Sequence, residues 1–276
     1  MVEVPVSQLK TRLNNGMEMP MLGLGVYDMY GKEAERSVNK ALEIGYRLID
    51  TASMYQNEQE VGNVIRHSGI SREEIFITTK VNNADQGFDS TLRAIDVSLK
   101  KLQTGHVDLY LVHWPIRGKR KDTWKALERI YLEGKTKAIG VANYLIPFLQ
   151  ELETYNVVVP ALNQVEFSPF LFLRDLLEYC QQKNIQLQAY SPLARGKKMN
   201  DLRLQNLARK YNKTAAQIIL RWDIQNGVSI IPKSSNVERL KENFNIFDFV
   251  LSPEDMEFMN SWHDGFRVVD DPMDYW

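Results

Sequence analysis

A single cysteine stands among 276 residues, so no disulfide can close within the chain. That residue, Cys180, falls in the helical pattern "LLEYCQQK" and reads as a packed thiol suited to a reducing compartment. No apolar run approaches the roughly 18 residues a membrane span needs. The opening "MVEVPVSQLKTRLNNG" has neither the basic nor the apolar stretch of a secretory leader, so a cytoplasmic protein is expected. Charge of neither sign prevails: 34 basic residues face 35 acidic ones, net −1, and no global field draws the chain to nucleic acid or an anionic membrane. His-x-x-x-His and clustered Cys/His are missing, so no metal site is expected. A Gly-x-Ser-x-Gly elbow is missing too, which argues against a serine hydrolase. The "GLG" of Gly23 to Gly25 lacks the third glycine of a dinucleotide fingerprint, with Asp28 in its place. No linker or low-complexity segment breaks the chain, and 1–276 reads as one domain.

What is present is a repeated alternation of short apolar runs and amphipathic stretches. The runs are "MLGLGVY" (21–27), "YRLID" (46–50), "IFITTKV" (75–81), "VDLYLVHW" (107–114), "TKAIGVAN" (136–143), "ALNQVEF" (161–167), "IQLQAYSPL" (185–193) and "VSIIPK" (228–233). Short and nearly continuously apolar, they suit strands buried on both faces. Between them, "KEAERSVNKALEIG" ends on a glycine stop, "DSTLRAIDVSLKKL" opens on an Asp/Ser cap, and "DTWKALERIYLEG" opens on Asp122 and closes on Gly134. Strict βα alternation predicts a parallel sheet. Eight units at this length predict an α/β fold, a closed (β/α)8 barrel. The preceding "TRLNNGMEMP" predicts a β-hairpin about its Asn-Gly turn.

Barrel chemistry sits at the C-terminal strand ends. The second run ends in Asp50, with Tyr55 in the loop after it; the third ends near Lys80; the fourth carries His113. Each has an ordinary reading alone: Asp50 with Thr51 as a helix cap, Lys80 as a snorkelling chain, His113 as a satisfied buried histidine, Tyr55 as packing. Together on one rim they make chemical sense. A free phenol titrates near 10, and an adjacent Lys80 ammonium is expected to lower that value. Asp50 would hold the lysine charged, Tyr55 would act as general acid towards a carbonyl oxygen, and His113 would orient the substrate. The basic "RGKRK" (117–121) reads as a solvated loop leading to the Asp122 cap, or as an attractor of anionic substrates.

On these residues the sequence resembles an aldo-keto reductase, over essentially the whole chain and in its compact microbial form. "GYRLIDTASMYQNEQEVG" is similar to the family signature carrying the catalytic Asp and Tyr, "FITTKV" to the segment carrying the Lys, and "VDLYLVHWP" to that carrying the His. The resemblance implies a tetrad of Asp50, Tyr55, Lys80 and His113, and NADPH bound without a Rossmann domain. It places Gly25, Val26 and Tyr27 beside the nicotinamide ribose and pyrophosphate. Asn143 and Gln164 hold the carboxamide, and Asp50 counts among the cofactor contacts. Tyr190 stacks on the nicotinamide; Ser191 and Leu193 contact the pyrophosphate. Lys233, Ser234 and Arg239 hold the 2′-phosphate, where a dianion wants cations and hydroxyls. Glu242 and Asn243 hold the adenine. His113, Trp114, Tyr55 and Asn82 face the substrate. A C-terminal loop over the pocket would bring in Phe266, Tyr275 and Trp276.

The chain departs from the family pattern at Ala142 before Asn143, where serine is usual, at Asn82, where an aromatic is frequent, and at Ser168-Pro169 in place of His-Pro. The last two imply a more polar substrate pocket. The implied activity is NADPH-dependent reduction of small carbonyls, with methylglyoxal-like dicarbonyls, diketo-sugar acids and prostaglandin-like ketones as candidates. The implied partners are small molecules only, for a monomer or weak homodimer. The rival reading is a non-catalytic NADPH-binding barrel acting as a sensor or regulatory subunit, against which the intact tetrad argues.

Overall fold

The computed structural model describes residues 9–276; the reading of the first eight residues as free of a leader lies outside them. Two short strands, β1 (Lys10–Arg12) and β2 (Glu18–Pro20), form the expected antiparallel hairpin. Eight strands follow: β3 (Leu24–Gly25), β4 (Leu48–Asp50), β5 (Phe76–Val81), β6 (Leu109–Val112), β7 (Ile139–Ala142), β8 (Leu162–Glu166), β9 (Gln186–Tyr190) and β10 (Ser229–Ile230). They pair in chain order, every neighbouring pair parallel. A bridge between Leu22 and Ile230 returns the last strand to the first, with Gly23 N donating to Ile230 O at 2.8 Å. The result is the (β/α)8 barrel predicted from the alternation.

The helices between the strands are α1 (Gly31–Ile44), α2 (Glu58–His67), α3 (Phe88–Leu102), α4 (Arg120–Leu132), α5 (Ile146–Glu153) and α6 (Arg174–Gln182). After β9 come α7 (Leu202–Tyr211) and α8 (Ala215–Gln225), and after β10 come α9 (Val237–Phe244) and α10 (Pro253–Asn260). No helix among the described residues is long and apolar enough to cross a membrane. Two predicted caps are corrected. Helix α3 is capped by Gly87 and α4 by Lys119, so Asp89 and Asp122 lie inside the first turn. There they complement the helix dipole rather than accept the end amides. The "RGKRK" loop ends earlier than expected: Arg120 is already helical, and it is buried.

Because side chains alternate along a strand, each strand serves two layers. Ile49, Ile77, Tyr110, Val112, Val141, Val165 and Leu187 join the core between strands and helices. Leu48, Phe76, Leu109, Leu111 and Leu162 join a smaller inner core, with Leu13 and Met19 of the hairpin. The hairpin thus closes one end of the barrel; Asn14 and Asn15 tie it there by donating to Pro160 O and Lys137 O, each at 3.0 Å. Followed up each strand, the inward phase turns polar: Leu48 then Asp50, Phe76 then Thr78 and Lys80, Leu162 then Gln164 and Glu166. Gln164 on β8 donates to Asp50 on β4 at 2.7 Å, a reach across four strand positions that runs through the interior. The glycines of "GLG" serve closure. A Cβ on Gly25 would lie 2.7 Å from Ile231 O across the seam, closer than atoms pack.

The lone Cys180 is buried, and burial pushes its thiol up to about 12, so it is an inert packed thiol. Asp223 on α8 is fully buried, with neither carboxylate oxygen hydrogen-bonded among the described residues, and burial pushes its pKa well above the usual carboxylate range. The native state therefore keeps a proton that the unfolded chain gives up near 3.9. Between those two values the native state binds more protons, so stability falls as pH rises, by up to about 1.4 kcal/mol per pH unit. Asp223→Asn carries no such proton. Its chemical-denaturation stability is expected to match wild type near pH 4 and to exceed it by more than about 1 kcal/mol at pH 7. An asparagine variant less stable than wild type at pH 7 would mean an ionised, partnered carboxylate.

Candidate active site

The four tetrad residues meet where the inward phase opens. Asp50 ends β4, Lys80 lies near the end of β5, and His113 follows β6. Tyr55 closes a short 3-10 turn, Ser53–Tyr55, that folds back over β5, with Ser53 Oγ donating to Lys80 O at 3.0 Å. Lys80 has no exposed surface. Its Nζ donates to Asp50 Oδ1 at 2.6 Å, to Thr51 O at 2.9 Å and to the Tyr55 hydroxyl at 3.4 Å. The ammonium thus has three acceptors for three protons. His113 lies edge-on to the Tyr55 ring, centroids 5.6 Å apart, and Tyr27 flanks the other side at 5.1 Å.

Burial presses Asp50 up and Lys80 down, and their contact opposes both shifts. A second carboxylate adds to the hold on Lys80. Glu58, buried at the start of α2, accepts from Thr79 Oγ1 at 2.7 Å and favours the charged lysine. Burial, then the Lys80 charge, lower His113 well below its ordinary value, so it is a neutral imidazole with one N–H donor. Its Nδ1 has no partner among the described residues. The expectation that Lys80 lowers the Tyr55 phenol is corrected. Burial raises it well above 10, and the Asp50 charge and Tyr27 add to the rise. The contact to Lys80 is long, and the crowding around the ring outweighs it. At neutral pH the phenol is therefore in its proton-donating form.

Other sequence-named positions surround this group. Asn143, at a positive φ of 65°, donates from Nδ2 to His113 O at 2.9 Å and accepts from the Tyr190 hydroxyl at 2.8 Å. Gln164 Nε2 is shared between Asp50 and Gln188 Oε1, which leaves its own Oε1 as the atom able to accept from a ligand amide. Ser191, Ala194 and Arg195 also hold positive φ values in the loop after β9, where Leu193 is half-buried. Backbone held in that region by non-glycine residues gathers at ligand-binding loops. Tyr27 is 51% exposed, whereas Val26 is buried, its N–H and C=O already bonded to Asp50 O and Asn57 Nδ2. Gly25 sits in the seam described above.

Lys233 and Arg239 are exposed, and among the described residues neither joins an ion pair. Ser234 spends its hydroxyl on a turn with Asn236, and Asn236 caps α9 by accepting from Glu238 N and Arg239 N. Glu242 accepts from Thr214 Oγ1, and Asn243 is buried beside it. Two unpaired cations beside a helix start fit a phosphate dianion.

On the substrate side, Trp114 is nearly buried, its carbonyl held by Gln86 Nε2 at 2.7 Å and its ring 4.9 Å from that of Tyr275. Trp276 packs on Phe148 at 5.1 Å, and Phe266 lies against the outer core. Asn82 caps a 3-10 turn and lines an open cleft of about 730 Å³ between α2 and α3, a cleft that none of the tetrad residues lines. Ser168 does not deliver the expected polarity: it is buried, and its hydroxyl accepts from Leu171 N within a local turn. Three buried groups near the site went unremarked in the sequence: Glu58, Gln188 and Glu166. The last accepts from Val268 N and Val269 N at 2.7 and 3.1 Å and so ties the C-terminal segment to β8. Period-two counting from Leu162 through Gln164 marks Glu166 as inward.

The profile of the aldo/keto reductase family matches residues 21–263. The glyoxal reductase of Bacillus subtilis (strain 168) is 49% identical over 262 residues, covering 95% of both chains. The 9,11-endoperoxide prostaglandin H2 reductase of Trypanosoma cruzi is 46% identical over 264 residues, covering 94% of this chain and 93% of its own. A Bombyx mori aldo-keto reductase solved in complex with NADP superposes with a TM-score of 0.90 at 34% identity, covering 95% of each chain.

Proposed function

The chain belongs to the aldo/keto reductase family, and we propose that it reduces aldehydes and ketones to alcohols with NADPH as reductant and Tyr55 as proton donor. The observation that carries this reading is one ammonium, Lys80, in contact with both the Asp50 carboxylate and the Tyr55 hydroxyl. A protein that only binds a dinucleotide has no use for that arrangement.

NADPH, when bound, supplies the hydride that reaches the carbonyl carbon. Gln164 and Asn143 would hold its carboxamide, Tyr190 its ring face, Ser191 and Leu193 its pyrophosphate, Lys233 and Arg239 its 2′-phosphate, and Glu242 and Asn243 its adenine. Tyr55 gives its proton to the carbonyl oxygen as negative charge grows there. Lys80 Nζ, already against the phenol oxygen, stabilises the phenolate left behind, and Asp50 and Glu58 keep that ammonium charged. His113, being neutral, offers its single N–H to the same oxygen without competing for the proton. Trp114 excludes water on one side of the mouth.

The test is NADPH oxidation followed at 340 nm against simple aldehydes, ketones and 2-oxoaldehydes. Turnover is expected with at least one class; NADPH binding without turnover of any would favour a sensor or regulatory subunit. The phosphate site has its own check. Lys233→Ala and Arg239→Ala are each expected to weaken NADPH by about 10–100-fold, the worth of one charge-assisted bond of ~1.5–3 kcal/mol, and to leave NADH affinity unchanged. Equal weakening of both cofactors would remove the 2′-phosphate from these residues.

A further inference from the structure

Arg120 is a charged residue that the proposed chemistry does not use, yet it is only 8% exposed. Its Nε and Nη2 fork onto the Glu151 carboxylate of α5, with contacts of 2.6 to 3.0 Å. Its Nη1 donates to Pro115 O at 3.0 Å and to Tyr275 O at 3.3 Å. Pro115 follows His113 and Trp114 directly, and Tyr275 is the penultimate residue. The guanidinium also lies 5.3 Å from the Phe148 ring and 5.4 Å from the Trp276 ring. One planar cation therefore ties together the loop after β6, helix α5 and the last two residues of the chain. A bidentate carboxylate fixes the fork's plane, which a lysine could not do. What the fork secures is the Tyr275 ring against Trp114, at 4.9 Å, beside His113.

We infer that Arg120, oriented by Glu151, is a positioning residue that sets which carbonyl compounds the mouth admits, by clamping the C-terminal Tyr275-Trp276 pair against Trp114. The inference rests on reading the mouth as a carbonyl site. A small 2-oxoaldehyde gains from a closed wall that holds it near Tyr55; an aryl ketone needs that wall to give way. Loss of the clamp shifts selectivity through KM and leaves the proton-transfer machinery in place.

The measurement compares wild type, Arg120→Met, a chain lacking residues 275–276, and the combination. Methionine keeps the apolar stem and removes the donors, and the truncation removes only the last residue of a terminal 3-10 turn (Pro272–Tyr275) and its cap, leaving the barrel helices whole, so one variant remains informative if the other folds poorly. Each single change is expected to move the ratio of kcat/KM for methylglyoxal over that for acetophenone by about tenfold towards the ketone, the scale on which a reshaped apolar pocket discriminates. The effect is expected in KM, with kcat for methylglyoxal within about threefold, and the combined variant is expected to show no further change. A purely structural Arg120 would lower both substrates alike, and additive effects would separate it from the tail; either overturns the inference.

A second readout needs no turnover. Chymotrypsin is expected to cut after Tyr275 at least tenfold faster in Arg120→Met and in Glu151→Gln than in wild type; equal rates overturn the clamp. If wild type reduces no carbonyl of the wider aldehyde and ketone panel, the functional reading fails and takes the selectivity role with it, while the protease rate still decides whether Arg120 holds the tail.

Discussion

Tyr55→Phe is expected to lower kcat for carbonyl reduction by about 10²–10⁴-fold, the usual worth of a positioned general acid, while NADPH binds as before. Phenylalanine keeps the ring, so the edge contacts to Tyr27 at 5.1 Å and His113 at 5.6 Å persist. The only bond lost is the long one from Lys80 Nζ at 3.4 Å, and Lys80 retains Asp50 and Thr51 as acceptors. The stability cost is accordingly small, within about 1 kcal/mol, and a lost rate cannot be charged to unfolding. Stopped-flow transients separate binding from chemistry. Quenching of protein fluorescence by NADPH should be unchanged, and the oxidation phase should slow. A variant that turned over at the wild-type rate would move the proton donor elsewhere, with His113 the next candidate in reach. A variant that failed to bind NADPH would mean that the phenol shapes the cofactor site rather than the reaction.

The barrel was legible because its strands are buried on both faces and so read as apolar runs, and because the chemistry falls at their ends. What was not legible follows from the same burial. "IFITTKV" shows no apolar-polar alternation, because its inward phase runs from apolar to polar, and only the folded sheet shows Phe76, Thr78 and Lys80 facing inward. Glu166 and Gln188 were hidden by the same change of polarity along the inward phase, although each lies two residues from an inward neighbour. Asp89 and Asp122 read as caps in the sequence because an acid at a helix start serves two purposes, acceptor for end amides or partner for the dipole, and sequence does not separate them. The direction of the Tyr55 shift was missed because it weighs enclosure against one nearby cation, and enclosure exists only in three dimensions. Ser168 illustrates the converse: its composition suggested a polar pocket, but its hydroxyl was needed by a turn. Arg120 looked like part of a solvated basic run because its partners, Glu151 and Tyr275, lie 31 and 155 residues away.

Lys80→Met is expected to be the most damaging single change to stability, costing about 3–5 kcal/mol at pH 7, because it leaves a buried carboxylate without its counter-charge. Asp50 is 2% exposed, and with Lys80 gone only Gln164 Nε2 remains to it as a donor among the described residues. Burial already raises Asp50, and Lys80 is what opposes that rise. In the variant the folded carboxyl therefore titrates higher still above the unfolded value near 3.9. Through that window the native state holds a proton the unfolded chain has released, so the deficit grows as pH rises from 4 to 8 and nearly closes at the acid end. Adding Asp50→Asn removes the uncompensated charge and keeps an oxygen for Gln164 to bond. The double variant is expected to recover more than half of the loss at pH 7 and to show no such pH dependence, while remaining inactive. Denaturant midpoints of the four proteins at pH 5 and pH 8 give the coupling energy directly. If Lys80→Met proved as stable as wild type at pH 8, or if Asp50→Asn failed to rescue it, the two residues would not be an ion pair in the folded chain. The case for a charged lysine behind Tyr55 would then fall with that pair.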